Sequence, residues 1–562
     1  MLINSAKRVL STIGWKNKLY DEEVKATRKV VSTEPFDYLV KILTSKVYDV
    51  AIETPLTYAA NLSNLLNNNV YLKREDLQPV FSFKIRGAYN KISHLNLEQR
   101  QRGVVTCSAG NHAQGVALSA ARLGIKATIV MPEATPKIKV NAVSRFGGDM
   151  TTIVLHGKNY DEAASEAQRL MKLNGLTLVH PFDDPLVIAG QGTIGMEILK
   201  GLKGQEIDII FVCVGGGGLL AGVASYVKAI KPNVKVIGVE AEDAAGMTES
   251  LRADKVVTLA QVGLFADGAA VRTVGTETFR ICRELVDEMI TVQTDEICAA
   301  IKLGFNDTRC VLEPAGALGI AGMVKYVQKY GVQGKSMIAI SSGANMDFDR
   351  LRFVSERADS SETLMSVTIP EKPGAFRQLH SYLHPRNITE FNYRHNGTTT
   401  ANIIVSFQAL PGRQVEEDKV VIASVLESHG YSVQDLSSNE MAKAHTRHMS
   451  GGRAPKLFAH GFETICDEAN KGCEQLYEVI YRFEFPEAPG ALNKFLDSLN
   501  HFNQGWSISL FHYRNRGHDY GRVLVGLLVK GNEKAAFRKF LEKLEYTYYD
   551  ETNNASYKLF MQ

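Results

Sequence analysis

The sequence predicts an α/β fold in two parts, with two α/β lobes followed by two copies of a smaller α+β module. From about residue 50 to 350, short β-branched runs alternate with segments of helical period, which is typical of βαβ units and a mainly parallel sheet. After a polar stretch at 355–363, a motif with Pro-Gly occurs twice, at Pro373-Gly374 and Pro489-Gly490. At ~150 residues per domain, the 562-residue length also accommodates about three to four domains.

Composition excludes several classes of function. The net charge is +3 and 45% of the residues are hydrophobic, so there is no overall attraction to nucleic acid or to an anionic membrane. An uncharged run at 209–227 is long enough to suggest a membrane span, but Gly215–Gly218 interrupts it. We therefore predict a buried strand, a glycine loop and the start of a helix there, and neither a nucleic-acid nor a membrane partner.

The seven cysteines are an odd number without repeated close spacing, which argues against a disulfide framework and for a reducing compartment. The nearest pair, Cys466 and Cys473, has no matching cluster of His or Cys close by, so no metal site is predicted.

The first twenty residues contain Lys7, Arg8, Lys16 and Lys18 and no acid, with several hydroxyl residues among them. This composition resembles an organellar transit peptide, and an ordinary basic tail is the alternative. We predict an N-terminal extension over 1–45 and a mitochondrial address, or a cytoplasmic one if the tail is not a signal.

The lobes contain recognisable βαβ units. A helix follows the first predicted strand and begins near His112, and another follows the glycine loop. The predicted strands are 104–107, 127–132, 150–155, 207–214 and 234–240.

The tail is an internal repeat. IPEKPGAFRQL at 369–379 matches FPEAPGALNKF at 485–495, and ITEFNYRHN at 388–396 matches ISLFHYRNR at 508–516. Each copy predicts a strand, a Pro-Gly turn that opens a helix, and two further strands, so we expect two stacked α+β modules. The predicted boundaries are 356–362 for a linker, 363–440 for the first module, 441–476 for a connector and 477–562 for the second module.

Lys84 lies in an unusually apolar segment, between Phe83 and Ile85. Burial lowers the pKa of an ammonium group and leaves a neutral amine that can form a Schiff base with an aldehyde. A lysine whose stem covers apolar surface is the alternative interpretation.

Two segments have the form of anion sites. The turn Ser108–Asn111 stands between a strand and a helix, where N–H groups suit a carboxylate, although Ser108 or Asn111 could simply be a helix N-cap. The run Gly215–Gly218 lets the backbone approach a phosphate closely. It also fits G-x-G-x-x-A, with Glu240 about 20 residues on, so a nicotinamide oxidoreductase is a competing hypothesis.

A fourth segment, Ser341-Ser342-Gly343, ends a predicted strand and would face the ligand crevice of an α/β sheet. A common turn is the alternative.

Together these segments resemble one family. S-F-K-x-R-G-A, S-A-G-N-H-A-Q-G, the tetraglycine-Leu loop, E-P-A-G-A and S-G-A-N occur here in the order found in pyridoxal-phosphate enzymes of fold type II, the tryptophan-synthase β-like group. Within that group the chain resembles the biosynthetic threonine deaminases, over about residues 45–562. The resemblance implies a two-lobed catalytic domain at 46–355 and two ACT-like (ferredoxin-like) regulatory modules.

The resemblance also implies roles for individual residues. Lys84 would bind the cofactor aldehyde, Asn111 would contact the 3′-oxygen of pyridoxal 5′-phosphate, and Ser342 would face its ring nitrogen. The phosphate would lie on Gly215, Gly216, Gly217, Gly218 and Leu219, and the substrate carboxylate on Ser108, Ala109, Gly110, Asn111 and His112.

The implied reaction converts L-threonine to 2-oxobutyrate and ammonia, the first committed step of isoleucine synthesis. The implied effectors are isoleucine as inhibitor and valine as its opponent, near Pro373, Gly374, Pro489 and Gly490, in a homotetramer. Alternatives with the same cofactor are serine or threonine dehydratase of the catabolic type, serine racemase, cysteine synthase and threonine synthase, which the duplicated tail disfavours. A non-enzymatic amino-acid sensor is disfavoured by the intact Lys84.

Overall fold

The computed structural model divides the chain into two compact units, one up to Ala358 and one from Asp359 onward. The transit-like first 35 residues, most of the predicted connector and the cysteine pair at 466 and 473 lie outside the described residues. The structure describes residues 36–202, 204, 206–348, 350–358, 362–372, 374–394, 399–410, 413–439, 442, 459–460, 476–486, 491–502, 506–514 and 520–554.

The strands of the first unit are β1 (Leu56–Tyr58), β2 (Asn69–Arg74), β3 (Val104–Cys107), β4 (Ala127–Met131), β5 (Thr151–Leu155), β6 (Thr177–Leu178), β7 (Ile209–Cys213), β8 (Lys235–Ala241), β9 (Glu288–Val292) and β10 (Ser336–Ser341). Its helices cover Phe36–Leu43, Ala60–Leu66, Lys84–Ser93, Leu97–Arg102, Asn111–Arg122, Lys137–Gly147, Tyr160–Asn174, Pro185–Gly201, Gly218–Ile230, Gly246–Arg252, Thr276–Leu285, Thr294–Thr308, Pro314–Tyr330 and Arg350–Arg357. Short 3₁₀ turns lie at Val47–Asp49, Glu75–Leu77, Gly148–Met150, Glu242–Ala244 and Asp267–Ala269. The five predicted strands are confirmed, each within two residues.

The first unit consists of two lobes. In the larger lobe the strand order is β1-β2-β10-β7-β8-β9, parallel except for β1. The smaller lobe has the parallel order β5-β4-β3-β6. The interior strands are continuous apolar runs because helices cover both faces of such sheets, and Val104, Val105, Ile210 and Phe211 are fully buried.

Three neighbouring strands of the larger sheet end at one edge. Ser341 on β10 pairs with Arg74 on β2, and Ala339 on β10 pairs with Phe211 on β7. The segments that follow these strands carry Lys84, Ser342 and the glycine loop. Ligands of parallel α/β sheets bind outside the carboxyl ends of the strands, so the topology brings three predicted site segments together.

Described elements reach into both ends of the polar stretch that was predicted as a linker. The helix Arg350–Arg357 extends into that stretch, and the next strand begins at Glu362. Polar residues can continue a surface helix when one residue of the helical turn is buried against the core. Val354 is that buried residue in this helix.

The strands of the second unit are β11 (Glu362–Pro370), β12 (Ile388–Arg394), β13 (Thr400–Gln408), β14 (Ser432–Asp435), β15 (Ala459–His460), β16 (Leu476–Pro486), β17 (Ser507–Arg514), β18 (Tyr520–Lys530) and β19 (Thr547–Asp550). Its helices cover Ala375–Leu383, Val415–Ser428, Ala491–Phe502 and Lys534–Leu544, with a 3₁₀ turn at Gly531–Glu533. Each half has the order β-α-β-β-α-β, which confirms the predicted ferredoxin-like modules.

The two modules share one sheet and one core. β12 of the first module pairs antiparallel with β17 of the second, so the sheet continues from one module to the other. Aromatic side chains from both modules meet beneath this junction, with the Phe376 and Phe511 rings 5.1 Å apart between centroids. The repeat is therefore a single packed body within the second unit.

No helix within the described ranges is long and apolar enough to span a membrane. In the same part of the chain, no group of three or more His, Cys, Asp or Glu side chains could hold a metal ion.

Candidate active site

Lys84 is the first residue of its helix and lies half-buried at the edge where β2, β10 and β7 end. Its Nζ donates a hydrogen bond to the carbonyl of Pro181 at 2.9 Å. Burial lowers the pKa of Lys84 to about 8, although the nearby Cys213 and Glu313 oppose this shift. A larger fraction of this amine than of an ordinary lysine is therefore neutral near physiological pH, as a nucleophile or base requires.

The Lys84 segment is fixed against the segment that follows β10. Ser82 and Gly343 form an isolated β-bridge, and the backbone N–H of Phe83 donates to the carbonyl of Ser342 at 3.1 Å. This pairing holds Lys84 and Ser342 next to each other, although 258 residues separate them in the chain.

The glycine loop follows β7 and leads into the helix Gly218–Ile230. Gly217, with a φ of +95°, occupies the N-cap of this helix in the left-handed region that favours glycine. A Cβ on Gly216 would lie 2.2 Å from the ring of Phe182, so this position leaves no room for a side chain. The first N–H groups of a helix have no intrahelical acceptor, so the loop forms an anion site backed by the helix dipole.

The Ser342 hydroxyl lies buried beside this loop. Its Oγ is 3.2 Å from the Sγ of Cys213, the last residue of β7, and 3.3 Å from the carbonyl of Ala315. Burial raises the pKa of the Cys213 thiol to about 11, so the thiol keeps its proton and donates to Ser342. Ser342 therefore offers a neutral hydroxyl to the site.

Asn111 lies at the start of a helix of the smaller lobe and reaches residues of the larger one. Its Nδ2 donates to Glu313 Oε1 at 2.5 Å, and its Oδ1 accepts from Asn345 Nδ2 at 2.7 Å. Burial, and to a lesser extent Asp267, raise the pKa of Glu313 to about 7, while the bond from Asn111 opposes this.

The turn predicted for a carboxylate is half-buried from Ser108 to Asn111, next to the Lys84 segment. The side chain of His112 is buried, and its Nε2 lies 2.9 Å from the carbonyl of Val179. Burial and the charge of Lys84 lower the pKa of His112 to about 3, so the ring is neutral. The backbone of the turn, rather than the His112 ring, is thus what this segment presents to an anion.

Glu240 does not serve the dinucleotide hypothesis. Its buried carboxyl accepts from the backbone N–H groups of Met247 and Thr248 at 2.8 and 2.9 Å, and from the Thr248 hydroxyl at 2.6 Å. Burial raises its pKa to about 7. A carboxyl that caps a helix in this way is not presented to a ribose, so the G-x-G-x-x-A match loses its acidic partner.

Four residues of the site have no role that the sequence alone predicts: Phe182, Cys213, Glu313 and Asn345. Glu313 and Asn345 stand within E-P-A-G-A and S-G-A-N, which were identified only as motifs. Their contacts with Asn111 span 202 and 234 residues, so local pattern gave no signal for them. Phe182 and Cys213 had no sequence signal beyond their apolar character.

Of the predicted effector positions, Gly374 is described, and it is the N-cap of the helix Ala375–Leu383 with a φ of +83°. Pro373, Pro489 and Gly490 lie outside the described residues.

Two family models match the chain. One, described as "pyridoxal-phosphate dependent enzyme", covers residues 47–343. The other, "C-terminal regulatory domain of threonine dehydratase", matches twice, at 355–446 and 470–561.

Similar proteins extend over nearly the whole chain. A biosynthetic L-threonine dehydratase of Burkholderia multivorans is 52% identical over 93% of this chain and 99% of its own length. A mitochondrial threonine dehydratase of Schizosaccharomyces pombe is 49% identical over 94% of this chain and 84% of its own. Among solved structures, the processed threonine deaminase isoform 2 of Solanum lycopersicum covers 58% of this chain and 93% of its own, with a TM-score of 0.56 and 53% identity.

Proposed function

We propose that this chain, which belongs to the pyridoxal-phosphate-dependent enzymes and among them to the biosynthetic threonine dehydratases, converts L-threonine to 2-oxobutyrate and ammonia. The observation that carries the proposal is the meeting of Lys84, the glycine loop and Ser342 at one sheet edge, in a chain that also has the regulatory domain. The catalytic domain is proposed over 46–355.

The residues present fit pyridoxal 5′-phosphate. Lys84, with its lowered pKa, would hold the aldehyde carbon, and the N–H groups from Gly215 to Leu219 would hold the phosphate. Asn111 would donate to the ring oxygen, and Ser342 would face the ring nitrogen. The close packing of Phe182 on Gly216 supports this assignment. A Cβ on Gly216 would displace the Phe182 side chain, which shapes the loop.

When bound, pyridoxal phosphate supplies an aldehyde for the substrate amine and a ring that delocalises the electron pair left at Cα. Lys84, freed when the substrate amine takes its place at the aldehyde carbon, would take the proton from the Cα of threonine, and the hydroxyl would leave Cβ. That proton and the departing hydroxide together account for the water that is lost. Hydrolysis of the released unsaturated amine returns one water and gives 2-oxobutyrate and ammonia.

Ser342 tunes this chemistry toward elimination. Its hydroxyl is neutral, so unlike an aspartate it does not hold a proton on the ring nitrogen facing it. A weaker electron sink suits a reaction in which the β leaving group relieves the charge at Cα. The turn Ser108–His112 would orient the substrate by binding its carboxylate through backbone N–H groups.

Serine racemase is the alternative with a specific observation behind it, since the maize enzyme resembles 57% of this chain with 33% identity and a TM-score of 0.53. The regulatory domain, matched twice in the tail, favours threonine dehydratase. Incubation with L-serine and with L-threonine separates the two functions. We expect 2-oxobutyrate from L-threonine and no D-serine from L-serine; D-serine as the main product would favour the racemase.

The second unit offers a site for an amino-acid effector. A pocket between its two modules contains the predicted Gly374 and is lined, among others, by Ile369, Glu371, Tyr393, Leu499, Trp506 and Leu528. The Tyr393 hydroxyl donates to Glu371 Oε2 at 2.6 Å, which fixes the carboxylate in the pocket. We infer that Glu371 binds the effector ammonium group and the apolar lining its branched side chain, as isoleucine and the opposing valine would require.

The Glu371→Gln variant is expected to weaken inhibition by isoleucine. Removing the charge that pairs with the ammonium group should raise the isoleucine concentration for half-inhibition about tenfold or more, with little change in uninhibited turnover. Inhibition curves for 2-oxobutyrate release measure this effect. Glu416→Gln, which changes an exposed carboxylate that pairs with Lys419 of the same unit, is the matched control. Equal sensitivity of wild type and Glu371→Gln would show that the effector binds elsewhere.

We propose a homotetramer and a mitochondrial location as further parts of this assignment. The tetramer is supported by the family resemblance, and the location by the acid-free N-terminus together with the fungal relatives named mitochondrial.

A further inference from the structure

Glu313 is a buried carboxyl group whose position depends on a long-range contact. It precedes the helix Pro314–Tyr330, and its backbone N–H donates to the carbonyl of Gly343 at 3.1 Å. Its Oε1 accepts from Asn111 Nδ2 at 2.5 Å. A Cβ on Gly343 would lie 2.5 Å from this oxygen, so the glycine is what allows the carboxyl to reach Asn111.

The orientation of the Asn111 amide follows from the hydrogen bonds on its other side. Asn345 Nδ2 donates to the carbonyl of Val80 at 2.9 Å and to Asn111 Oδ1 at 2.7 Å. A backbone carbonyl can only accept, so Val80 fixes which end of Asn345 is the donor. The oxygen of Asn111 must then face Asn345, and its nitrogen must face Glu313.

We propose that Glu313 is a positioning residue that holds the side-chain amide of Asn111, with one N–H directed at the carboxyl and the second kept available as a donor to the cofactor's ring oxygen. This inference rests on the proposed function, which places the cofactor beside Asn111. Without Glu313, the amide would keep only its bond to Asn345, and the direction of the second N–H would no longer be fixed.

The charges around Glu313 make this contact dependent on pH. Asp267 faces it with like charge, while Lys139, Lys84 and the Cys213 thiol are the other titratable groups near it. Lys139 also pairs with Asp267 at 2.6 Å. With a pKa of about 7, Glu313 becomes a charged and stronger acceptor as the pH rises through neutrality. The hydrogen bond between Asn111 and Glu313 should therefore become stronger from pH 6 to pH 8.

Binding of pyridoxine 5′-phosphate to the apoenzyme tests the proposal without turnover. This probe has the ring oxygen and the phosphate but no aldehyde, so its affinity is independent of covalent bonding to Lys84. We expect Glu313→Ala to raise its Kd about tenfold. Glu313→Gln, whose amide oxygen still accepts, should stay within about threefold and lose the part of the pH dependence centred near 7. Glu53→Gln, which removes an exposed carboxylate paired with Lys200, should leave the Kd unchanged.

A double-mutant cycle separates positioning from a general structural role. If Glu313 acts through Asn111, then Glu313→Ala should have no further effect on the Kd in an Asn111→Ala background. An equal loss in both backgrounds, or an unchanged Kd in Glu313→Ala, would overturn the proposal. If Glu313→Ala fails to fold, the same cycle is measured with Glu313→Gln through its pH dependence. Threonine turnover by the wild type tests the proposed function separately, because it does not depend on these variants.

Discussion

Lys84→Ala is expected to produce a folded protein that is colourless and inactive. The wild type loaded with pyridoxal phosphate should absorb visible light and appear yellow if, as we propose, Lys84 is the amine that holds the cofactor covalently. Its removal takes away both that attachment and the base at Cα. General-base catalysis alone contributes about 10²–10⁴-fold, so we expect kcat for 2-oxobutyrate release to fall by at least ~10³-fold. Absorbance spectra and steady-state assays of 2-oxobutyrate release measure the two effects.

Lys200→Ala is the matched control for this prediction, since Lys200 lies in the same unit in an exposed pair with Glu53. It should keep both colour and turnover. A yellow Lys84→Ala protein with an unchanged spectrum would show that another amine binds the cofactor, and it would remove Lys84 from the mechanism.

Arg86→Ala is expected to destabilise the first unit strongly. Two residues after Lys84, the fully buried Arg86 guanidinium bonds Glu75 at 2.7 Å and Glu197 at 2.5 Å, and Lys73 bonds Glu197 at 2.5 Å. The charges of two cations and two carboxylates thus cancel within this buried network. Removing one member of a buried pair leaves an uncompensated charge, which costs about 3–5 kcal/mol of unfolding free energy. Urea unfolding, monitored by a signal that reports on the first unit, measures the loss of unfolding free energy.

The pH dependence of this variant follows from Glu75. Burial would raise the pKa of Glu75, but Arg86 overcomes burial and holds it below its usual value. A depressed carboxyl pKa adds stability above the unfolded pKa and loses it as the pH falls through the folded value. Without Arg86, burial should raise the pKa of Glu75, so the destabilisation by Arg86→Ala should be large at pH 7 and shrink as the pH falls and Glu75 becomes protonated. Arg169→Ala, which removes an exposed guanidinium from an i,i+3 pair with Glu166, should leave the urea midpoint nearly unchanged. An equally small effect of Arg86→Ala would contradict the importance of the network.

Much of the fold followed from local pattern because its elements have strong local signals. The β-branched runs form interior strands of parallel sheets, and the repeat at 369–379 and 485–495 starts both modules at equivalent places. The polar stretch was a weaker guide, since polar residues continue a surface helix as readily as they form a linker. The four consecutive glycines were also a strong local signal. Few structures require such a run, other than a loop whose backbone closely approaches a ligand.

The site could be predicted only in part, because its parts meet through tertiary contacts. Lys84 alone was more easily explained as a lysine lying along apolar surface, and the resemblance to a family gave it a role. Glu313 stood within a motif but carried no sign that its carboxyl would reach Asn111. Glu240 fitted a dinucleotide pattern by spacing, yet in three dimensions it caps a helix. Spacing along the chain does not encode where a buried carboxyl is directed.

The most direct test of the account is the reaction of the purified full-length chain, loaded with pyridoxal phosphate, with L-threonine alone. We predict equimolar 2-oxobutyrate and ammonia, formed at a rate that isoleucine lowers. Yellow, folded protein that releases neither product from L-threonine would contradict the assignment of this site to threonine deamination.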